Sequence, residues 1–279
     1  MLEVIYVVRH AFRLGWTVNP TTGVYSTTTG ASLSPTGIAA DPVLSAHGVA
    51  QSLELAQHLR HVQPPVDVVY SSPWYRCLQT LKPFTDEWCA YGKPAGKVKV
   101  EPGLGEFFGT AHFKHPSASS VEKLSTLFDN LDRSYTPVRY PNAHGETIQE
   151  LHDRIAYTLN EIIAVLDADP SQPKSLLICT HAASMIAIGR VLTGQMPADP
   201  DTLDFKAYTA SLSRFRRKTL ELPHYKHEQE TMTSDGPSAS AKSGAFPKVR
   251  YQNYGIRGFW ECEQNANADY LSGGPERGW

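Results

Sequence analysis

Three short runs rich in large and β-branched apolar residues limit the folds that this chain can adopt. They are EVIYVV (3–8), VDVVY (66–70) and SLLIC (175–179), and none of them alternates regularly between apolar and polar positions. Continuous runs of this length are typical of parallel strands, because helices cover both faces of a parallel sheet. We therefore expect a sheet of mostly parallel strands at the centre of the molecule.

Segments with helical periodicity lie between and after these runs. Residues 46–62 have apolar side chains at helical spacing, at Val49, Leu53, Ala56 and Leu59. Ser45, directly before them, is a candidate N-cap. The longest apolar stripe lies in residues 147–166, at Ile148, Leu151, Ile155, Leu159, Ile162 and Leu166. Residues 183–194 indicate a further helix that ends at Gly194.

The alternation of strands and helices predicts an α/β fold with three layers, α/β/α, around a mostly parallel sheet. Residues 208–218 alternate apolar and polar positions and indicate a later strand. We expect one domain over residues 1–279, with flexible insertions near 17–40 and 226–248. Aromatic residues return after the second insertion, so the C-terminal segment is expected to dock back onto the domain.

Composition excludes several classes of function. A net charge of -2 over 279 residues provides no electrostatic argument for nucleic acid or an anionic membrane. No run approaches about 18 uncharged apolar residues, so we expect no membrane span, and the first ten residues do not resemble a signal peptide. Four scattered cysteines without a C-x-x-C motif predict reduced thiols in a cytoplasmic or nuclear protein.

Reactive side chains follow each of the three apolar runs. The first run ends at Arg9 and His10, the second leads into SSPWYRC with Arg76, and the third is followed by His181. Ligands of open parallel sheets bind at the carboxyl ends of the strands. We therefore expect two arginines and two histidines to meet at one edge of the sheet, although each motif alone could be a surface pair or a buried structural histidine.

This set of side chains is suited to phosphoryl transfer. Arginine matches phosphate oxygens with a planar fork of donors, and two arginines can offset the charge of a transferring group without a metal or another cofactor. A histidine between arginines has a lowered pKa and stays neutral, so one ring nitrogen can attack phosphorus. The leaving alkoxide needs a proton, for which Glu106 and Glu146 are the candidate donors.

The order of the motifs resembles that of the histidine phosphatase superfamily, which has the phosphoglycerate mutase-like fold. The matching positions, in chain order, are Arg9-His10, Leu44, Gly48, Gln51, Ser72, Arg76, Gln79, Thr80, Leu104, Glu106, Gly145-Glu146-Thr147 and His181. The resemblance implies a metal-independent phosphate monoester hydrolase that works through a phosphohistidine on His10. It also implies that Arg9, Arg76 and His181 complete the phosphate pocket and that Glu106 protonates the leaving group.

Two positions depart from the family pattern. Ala11 stands where the family has glycine, and its methyl group is expected to narrow the pocket or slow turnover. Arg13 stands where many members have threonine or serine, and we favour a third phosphate contact over a solvated side chain.

A narrower likeness covers nearly the whole chain. SSPWYRCLQT, GLGEFFG, HGET, THAASMIAIG and ADYLSGG resemble the phosphatase-like domain of the fungal tau subunit of TFIIIC and its stand-alone fungal paralogue. The region that joins the TFIIIC subunit to its partner is not seen here, which favours the stand-alone phosphatase. The alternative is a weakly active or inactive interaction module with a transcription-complex partner in RNA polymerase III transcription. A phosphoprotein, a sugar phosphate and a nucleotide all remain open as the phosphorylated substrate.

Overall fold

A six-stranded sheet forms the centre of the molecule in the computed structural model, which describes residues 1–27, 34–90, 97–218 and 248–278. The sheet strands are β1 (Val4–Arg9), β4 (Val68–Ser71), β5 (Lys99–Val100), β6 (Ser175–Thr180), β7 (Leu212–Arg217) and β8 (Trp260–Asn267). A separate hairpin consists of β2 (Trp16–Val18) and β3 (Tyr25–Thr27). The helices are α1 (Ala46–Leu59), α2 (Tyr75–Ala90), α3 (Val121–Leu124), α4 (Ile148–Ala168) and α5 (Ala182–Thr193).

The sheet is parallel over its first four strands. Its order is β5-β4-β6-β1-β7-β8, in which β5, β4, β6 and β1 run parallel, and β7 is antiparallel to both of its neighbours, β1 and β8. All residues of β1, β4 and β6 are buried, as their continuous apolar sequences predicted. The later strand expected within 208–218 is β7, which is shorter than that range.

Helices cover both faces of the sheet, so the three-layer prediction is confirmed. Ile5 and Val7 of β1 pack into the cluster that contains the buried sides of α4 and α5. The alternate residues, Val4, Tyr6 and Val8, pack into the cluster that contains α1 and α2. Gly194 ends α5 with a φ of 73°, as predicted, because glycine adopts this left-handed conformation without strain.

The predicted apolar face of α1 is confirmed at Ala56 and Leu59 and wrong at its other two residues. Val49 and Leu53 are 41% and 53% exposed, and the buried side of the helix instead includes Gly48, Gln51 and Leu55. The reason is the packing of this helix against the loop that follows β1. A Cβ atom at Gly48 would lie 1.9 Å from the carbonyl oxygen of Phe12, so only glycine allows the helix to approach this closely. Ser45 caps the helix as expected, accepting a hydrogen bond from the amide of Gly48.

The long stripe on α4 is confirmed except at its first residue. Ile148 is 42% exposed because it lies at the start of the helix, whereas the other five predicted residues are buried. Thr147 and Glu150 form a capping box at this end.

The C-terminal segment docks back onto the domain, as predicted. β8 pairs with β7, and Trp260 is 1% exposed. Of the two expected insertions, residues 28–33 and 219–247 lie outside the described residues. That the chain forms one domain with flexible insertions stays a prediction.

No disulfide joins the four cysteines. Within the described ranges, no helix is both long and apolar enough to cross a membrane.

Candidate active site

The pairing of β1 with β6 brings the two predicted histidines together. Arg9 pairs with Thr180 at the ends of these parallel strands, so the next residues, His10 and His181, lie side by side. Their ring centroids are 5.2 Å apart at an angle of 64°. Both side chains are buried, and Arg76 reaches the same place from the first turn of α2.

His10 is held as a neutral imidazole with one defined donor. Its Nδ1 lies 2.8 Å from the carbonyl oxygen of Ala11, which can only accept, so Nδ1 carries the proton. Burial lowers the pKa of His10 well below its usual value, and the charges of Arg76, His181 and Arg9 lower it further. The lone pair on Nε2 is therefore available to attack an electrophile at neutral pH.

Arg76 is fixed by two acidic side chains. Its Nη1 donates to Asp41 and to the carbonyl oxygen of Ala40, at 3.3 and 3.1 Å, and its Nη2 donates to Glu106 at 2.8 Å. Asp41 is fully buried and also accepts from the amide of Tyr75. Sequence reasoning missed Asp41, because it lies in a loop without a motif and 35 residues before its partner.

Glu106 lies between two cationic partners. Its Oε2 is 2.8 Å from Nη2 of Arg76 and 3.2 Å from Nδ1 of His181. Burial opposes ionisation, but His181 and Arg76 outweigh it and hold the pKa of Glu106 well below its usual value. The group is therefore a carboxylate in the unliganded site, and it can act as an acid only when a bound anion offsets these cations.

His181 is oriented by groups on both sides of its ring. The hydroxyl of Ser72 lies 2.8 Å from Nε2, and the sulfur of Cys77 lies 3.6 Å from the same nitrogen. Burial lowers the pKa of His181, but Cys77 and Glu106 outweigh this effect and raise it above the usual value. The side chain can therefore carry a positive charge toward a bound anion.

Arg9 and Arg13 add two more guanidinium groups. Both terminal nitrogens of Arg9 donate to carbonyl oxygens, those of Ala207, Arg277 and Gly278. Burial, together with the charge of Arg76, lowers the pKa of Arg9 to about 10. The guanidinium of Arg13 lies over the ring of Trp16 and donates to the carbonyl of Leu14. Burial and the charge of Arg76 lower the pKa of Arg13 to about 10 as well.

Two buried donors in this cluster have no hydrogen-bond partner within the described residues, Nε of Arg9 and Nε of Arg76. Buried donors are normally satisfied, so an unpaired donor in a cationic cluster indicates a site for an acceptor ligand. His10, Glu106 and His181 also offer three possible metal-ligand atoms within 4.8 Å of one another. The surrounding arginines, however, favour an anion over a cation at this position.

Other residues of the sequence motifs hold the loop after His10. The hydroxyl of Thr80 accepts from the amide of Ala11 at 2.9 Å, and Gln51 accepts from the amide of Phe12 at 3.0 Å. The position of His10 is thus fixed from α1 and α2 as well as from its own strand.

The methyl group of Ala11 packs among other apolar side chains. Ala11 is fully buried in a small apolar cluster with Leu44, Ala210, Ala268 and Leu271. The departure from glycine is therefore accommodated by neighbouring apolar residues. This packing does not test the expectation that Ala11 slows turnover.

Of the two candidate acids, the structure separates Glu146 from the site. Glu146 is 2% exposed, and both of its oxygens accept from Nε of Arg154, at 2.8 and 3.0 Å. The same arginine donates to the carbonyl of Gly103 at 2.7 Å. Glu106, which contacts both Arg76 and His181, therefore stays the candidate proton donor, whereas the ion pair of Glu146 supports the turn before Glu106.

A cavity of about 470 Å³ opens beside Glu106. Aromatic and proline side chains supply much of its wall, including Trp74, Phe108, Tyr135, Tyr140, Pro73, Pro102, Pro116, Pro137 and Pro141. The rings of Phe108 and His115 stack at 4.9 Å, and His115 is held by the hydroxyl of Tyr25 at 2.6 Å.

Comparison with known proteins identifies relatives of this arrangement. A model of the histidine phosphatase superfamily (branch 1) matches residues 5–223. The transcription factor tau 55 kDa subunit of Saccharomyces cerevisiae is 27% identical over 285 residues, covering all of this chain and 58% of that protein. The ecdysteroid-phosphate phosphatase of Drosophila melanogaster is 28% identical over 170 residues, covering 61% of this chain and 22% of that protein. The chain therefore spans under two thirds of the length of these relatives.

Among solved structures, the ecdysone phosphate phosphatase of Bombyx mori, in complex with tungstate, has a TM-score of 0.57. The match is 22% identical and covers 88% of this chain and 98% of that chain. At this identity the likeness concerns the fold, and it confirms the phosphoglycerate mutase-like architecture.

Proposed function

The chain belongs to the histidine phosphatase superfamily, and from this premise we propose that it hydrolyses phosphate monoesters through a phosphohistidine on His10. One observation carries the proposal. A neutral histidine, with its proton fixed on Nδ1 by the carbonyl of Ala11, lies among arginines whose buried Nε donors are unpaired in the described residues. This combination provides both a nucleophile and donors for an anion.

In the first step, Nε2 of His10 attacks phosphorus, and the bond between phosphorus and the ester oxygen breaks. As the ester binds, its phosphoryl charge offsets Arg76 and His181 and raises the proton affinity of Glu106, which takes up a proton from solvent. Glu106 then gives this proton to the departing alkoxide. In the second step, Glu106 takes a proton from water, the oxygen attacks phosphorus, and the bond to His10 breaks. Orthophosphate leaves, and neither step requires a metal ion.

The leaving alcohol would occupy the cavity beside Glu106. A volume of about 470 Å³ is in the range of sites for drug-sized ligands, and the rings of Trp74 and Phe108 suit an apolar partner. We therefore favour an alcohol that bears rings over a small polyhydroxylated one such as a sugar. The name of one relative, ecdysteroid-phosphate phosphatase, likewise specifies a bulky alcohol.

The deciding experiment is hydrolysis of p-nitrophenyl phosphate by the wild-type chain and by His10→Ala, with circular dichroism to verify folding. We expect turnover in the wild type and none in the variant. The wild-type protein would also be incubated with an ester radiolabelled in its phosphoryl group and quenched in acid or in alkali. The protein should retain the label after the alkaline quench and lose it after the acid quench, as a phosphohistidine does. Equal turnover in the folded variant would exclude the mechanism.

The second candidate function is an interaction module with a weakly active or inactive pocket. One observation favours it, namely that the matched relative named as a transcription factor subunit covers the whole of this chain. Under this alternative the chain is nuclear and binds a partner in the RNA polymerase III transcription complex. Affinity purification of the tagged chain from its own cells should then recover TFIIIC subunits. Their absence, with phosphatase activity present, would leave the hydrolase.

A further inference from the structure

The C-terminal strap, residues 272–278, runs from the outer side of α1 to the end of β1. At its beginning, the amide of Ser272 donates to Glu54 on α1 at 3.2 Å. At its end, the carbonyl of Gly278 accepts from Nη2 of Arg9 at 2.7 Å. A segment near the end of the chain therefore reaches a side chain of the proposed phosphate pocket.

Glu276 anchors the middle of the strap. Its carboxylate lies 2.8 Å from His47 and 3.3 Å from the side-chain amide of Gln51, and its carbonyl accepts from the amide of Thr209 at 2.9 Å. Gln51 at the same time holds the amide of Phe12 through its other side-chain atom. The strap and the loop after His10 are thus attached to the same residue of α1.

The last residues of the strap contact Arg9 through main-chain atoms. The carbonyl of Arg277 accepts from Nη1, and that of Gly278 accepts from Nη2. Gly278 has a φ of 53°, and a Cβ atom there would lie 2.3 Å from Cγ2 of Thr209. Glycine is therefore required for this carbonyl to approach Arg9.

We propose that the strap is a positioning element of the phosphate pocket, a role that rests on the proposed function. Its carbonyls hold the two terminal nitrogens of Arg9, which leaves Nε–H and the second hydrogen of Nη2 as donors for phosphate oxygens. The partial negative charges of these carbonyls also offset the repulsion between Arg9 and Arg76 before the anion arrives. Substitutions in the strap that move these carbonyls should weaken anion binding without any direct contact to the ligand.

The test compares two strap glycines. Gly278→Ala introduces the clash beside Arg9. Gly274→Ala is a matched control, because Gly274 has a φ of 66° and a Cβ atom there would meet no described neighbour within 4 Å. Orthophosphate and tungstate dissociation constants would be measured by calorimetry, with thermal unfolding recorded for each variant. We expect about tenfold weaker anion binding, the loss of roughly one charge-assisted hydrogen bond, for Gly278→Ala alone. Equal affinities for the two variants would overturn the proposal.

A double-mutant cycle separates positioning from a general effect on folding. Arg9→Lys removes the fork that the strap holds, so Gly278→Ala should weaken phosphate binding little further in that background. An equal fold-loss in both backgrounds would show that the strap acts elsewhere. If Gly278→Ala fails to fold, Glu276→Ala replaces it, with Glu276→Gln expected to restore binding. A wild type that binds no phosphate at all would instead contradict the proposed function.

Discussion

At the scale of the residue, one hydrogen bond decides which nitrogen of His10 can react. The proton on Nδ1 is directed at the carbonyl of the next residue, Ala11, at 2.8 Å. Burial and the nearby cations keep the ring neutral by lowering its pKa. A nucleophile is therefore prepared by local backbone geometry together with charges that come from other elements.

Substitution of Glu106 tests its role as the acid. Glu106→Gln should slow hydrolysis of phenyl phosphate by about 10²–10⁴-fold, because the poor leaving group needs a proton. The same variant should hydrolyse p-nitrophenyl phosphate with a much smaller loss, since nitrophenolate leaves without one. Glu122→Gln, which lines the same cavity, is the control. Equal slowing of both esters would argue against Glu106 as the proton donor.

The pH dependence of kcat/KM should be bell-shaped. The acid limb is expected well below pH 6.5, where His10 gains a proton, and the alkaline limb above pH 6.5, where His181 loses one. Cys77→Ala should move only the alkaline limb to lower pH, because Cys77 helps to raise the pKa of His181. The shift of the alkaline limb is measured from the pH profile of kcat/KM, corrected for the ionisation of the ester. The Cys89→Ala variant is the control. An unmoved alkaline limb would contradict the role of the sulfur.

The packing of Ala11 leads to a prediction about this position, where the family has glycine. Ala11→Gly should change kcat/KM by less than about threefold, because the methyl group lies in an apolar cluster. The free energy of unfolding should fall by about 1 kcal/mol through lost burial and greater backbone freedom. Kinetics and chemical denaturation of the variant provide both values. A large gain in activity would show instead that the methyl group restricts the pocket.

At the scale of the element, the buried pair of Arg154 and Glu146 connects α4 to the turn that precedes Glu106. Arg154 is fully buried and donates to the carbonyls of Gly103 and Gly105 while it pairs with Glu146. The 3₁₀ turn Pro102–Leu104 is thereby fixed from the long helix. The position of the proposed acid thus depends on an ion pair outside the site.

Removal of the charge of Glu146 should be strongly destabilising. Glu146→Gln should lower the free energy of unfolding by about 3 kcal/mol or more, because it leaves a buried guanidinium without its counter-ion. Glu3→Gln is the control: Glu3 pairs with Lys174, and both side chains are about half exposed. The control should cost under about 1 kcal/mol. Urea denaturation of both variants measures the difference, and similar losses would refute the structural role of Glu146.

Helix α1 illustrates why element-scale prediction was incomplete. Its existence and its cap could be predicted from the sequence, because both depend on residues within a few positions of one another. Its buried face could be predicted only in part: Ala56 and Leu59 are buried, but Val49 and Leu53 are exposed and Gly48 is buried instead. The close approach to the carbonyl of Phe12 determined the orientation of the helix.

At the scale of the whole molecule, the site gathers arginines from separate parts of the chain at one sheet edge. Their mutual repulsion favours any state in which an anion lies between them. Orthophosphate at 100 times its dissociation constant should therefore raise the free energy of unfolding by about 2.7 kcal/mol. Thermal unfolding with and without phosphate, at matched ionic strength in chloride, measures this. If phosphate stabilises the Arg76→Ala variant by the same amount as the wild type, phosphate binds elsewhere.

The sequence by itself determined the strands, their ends and the residues that follow them. Continuous apolar runs and short motifs are local signals, so His10, Arg9, Arg76, Glu106 and His181 could be predicted to meet. Tertiary structure alone decided that Asp41 fixes Arg76, that Glu146 is structural, and that the C-terminal strap holds Arg9. The hydrogen bond between Arg9 and Gly278 joins residues 269 positions apart. Such contacts depend on how distant elements pack, which no local pattern encodes.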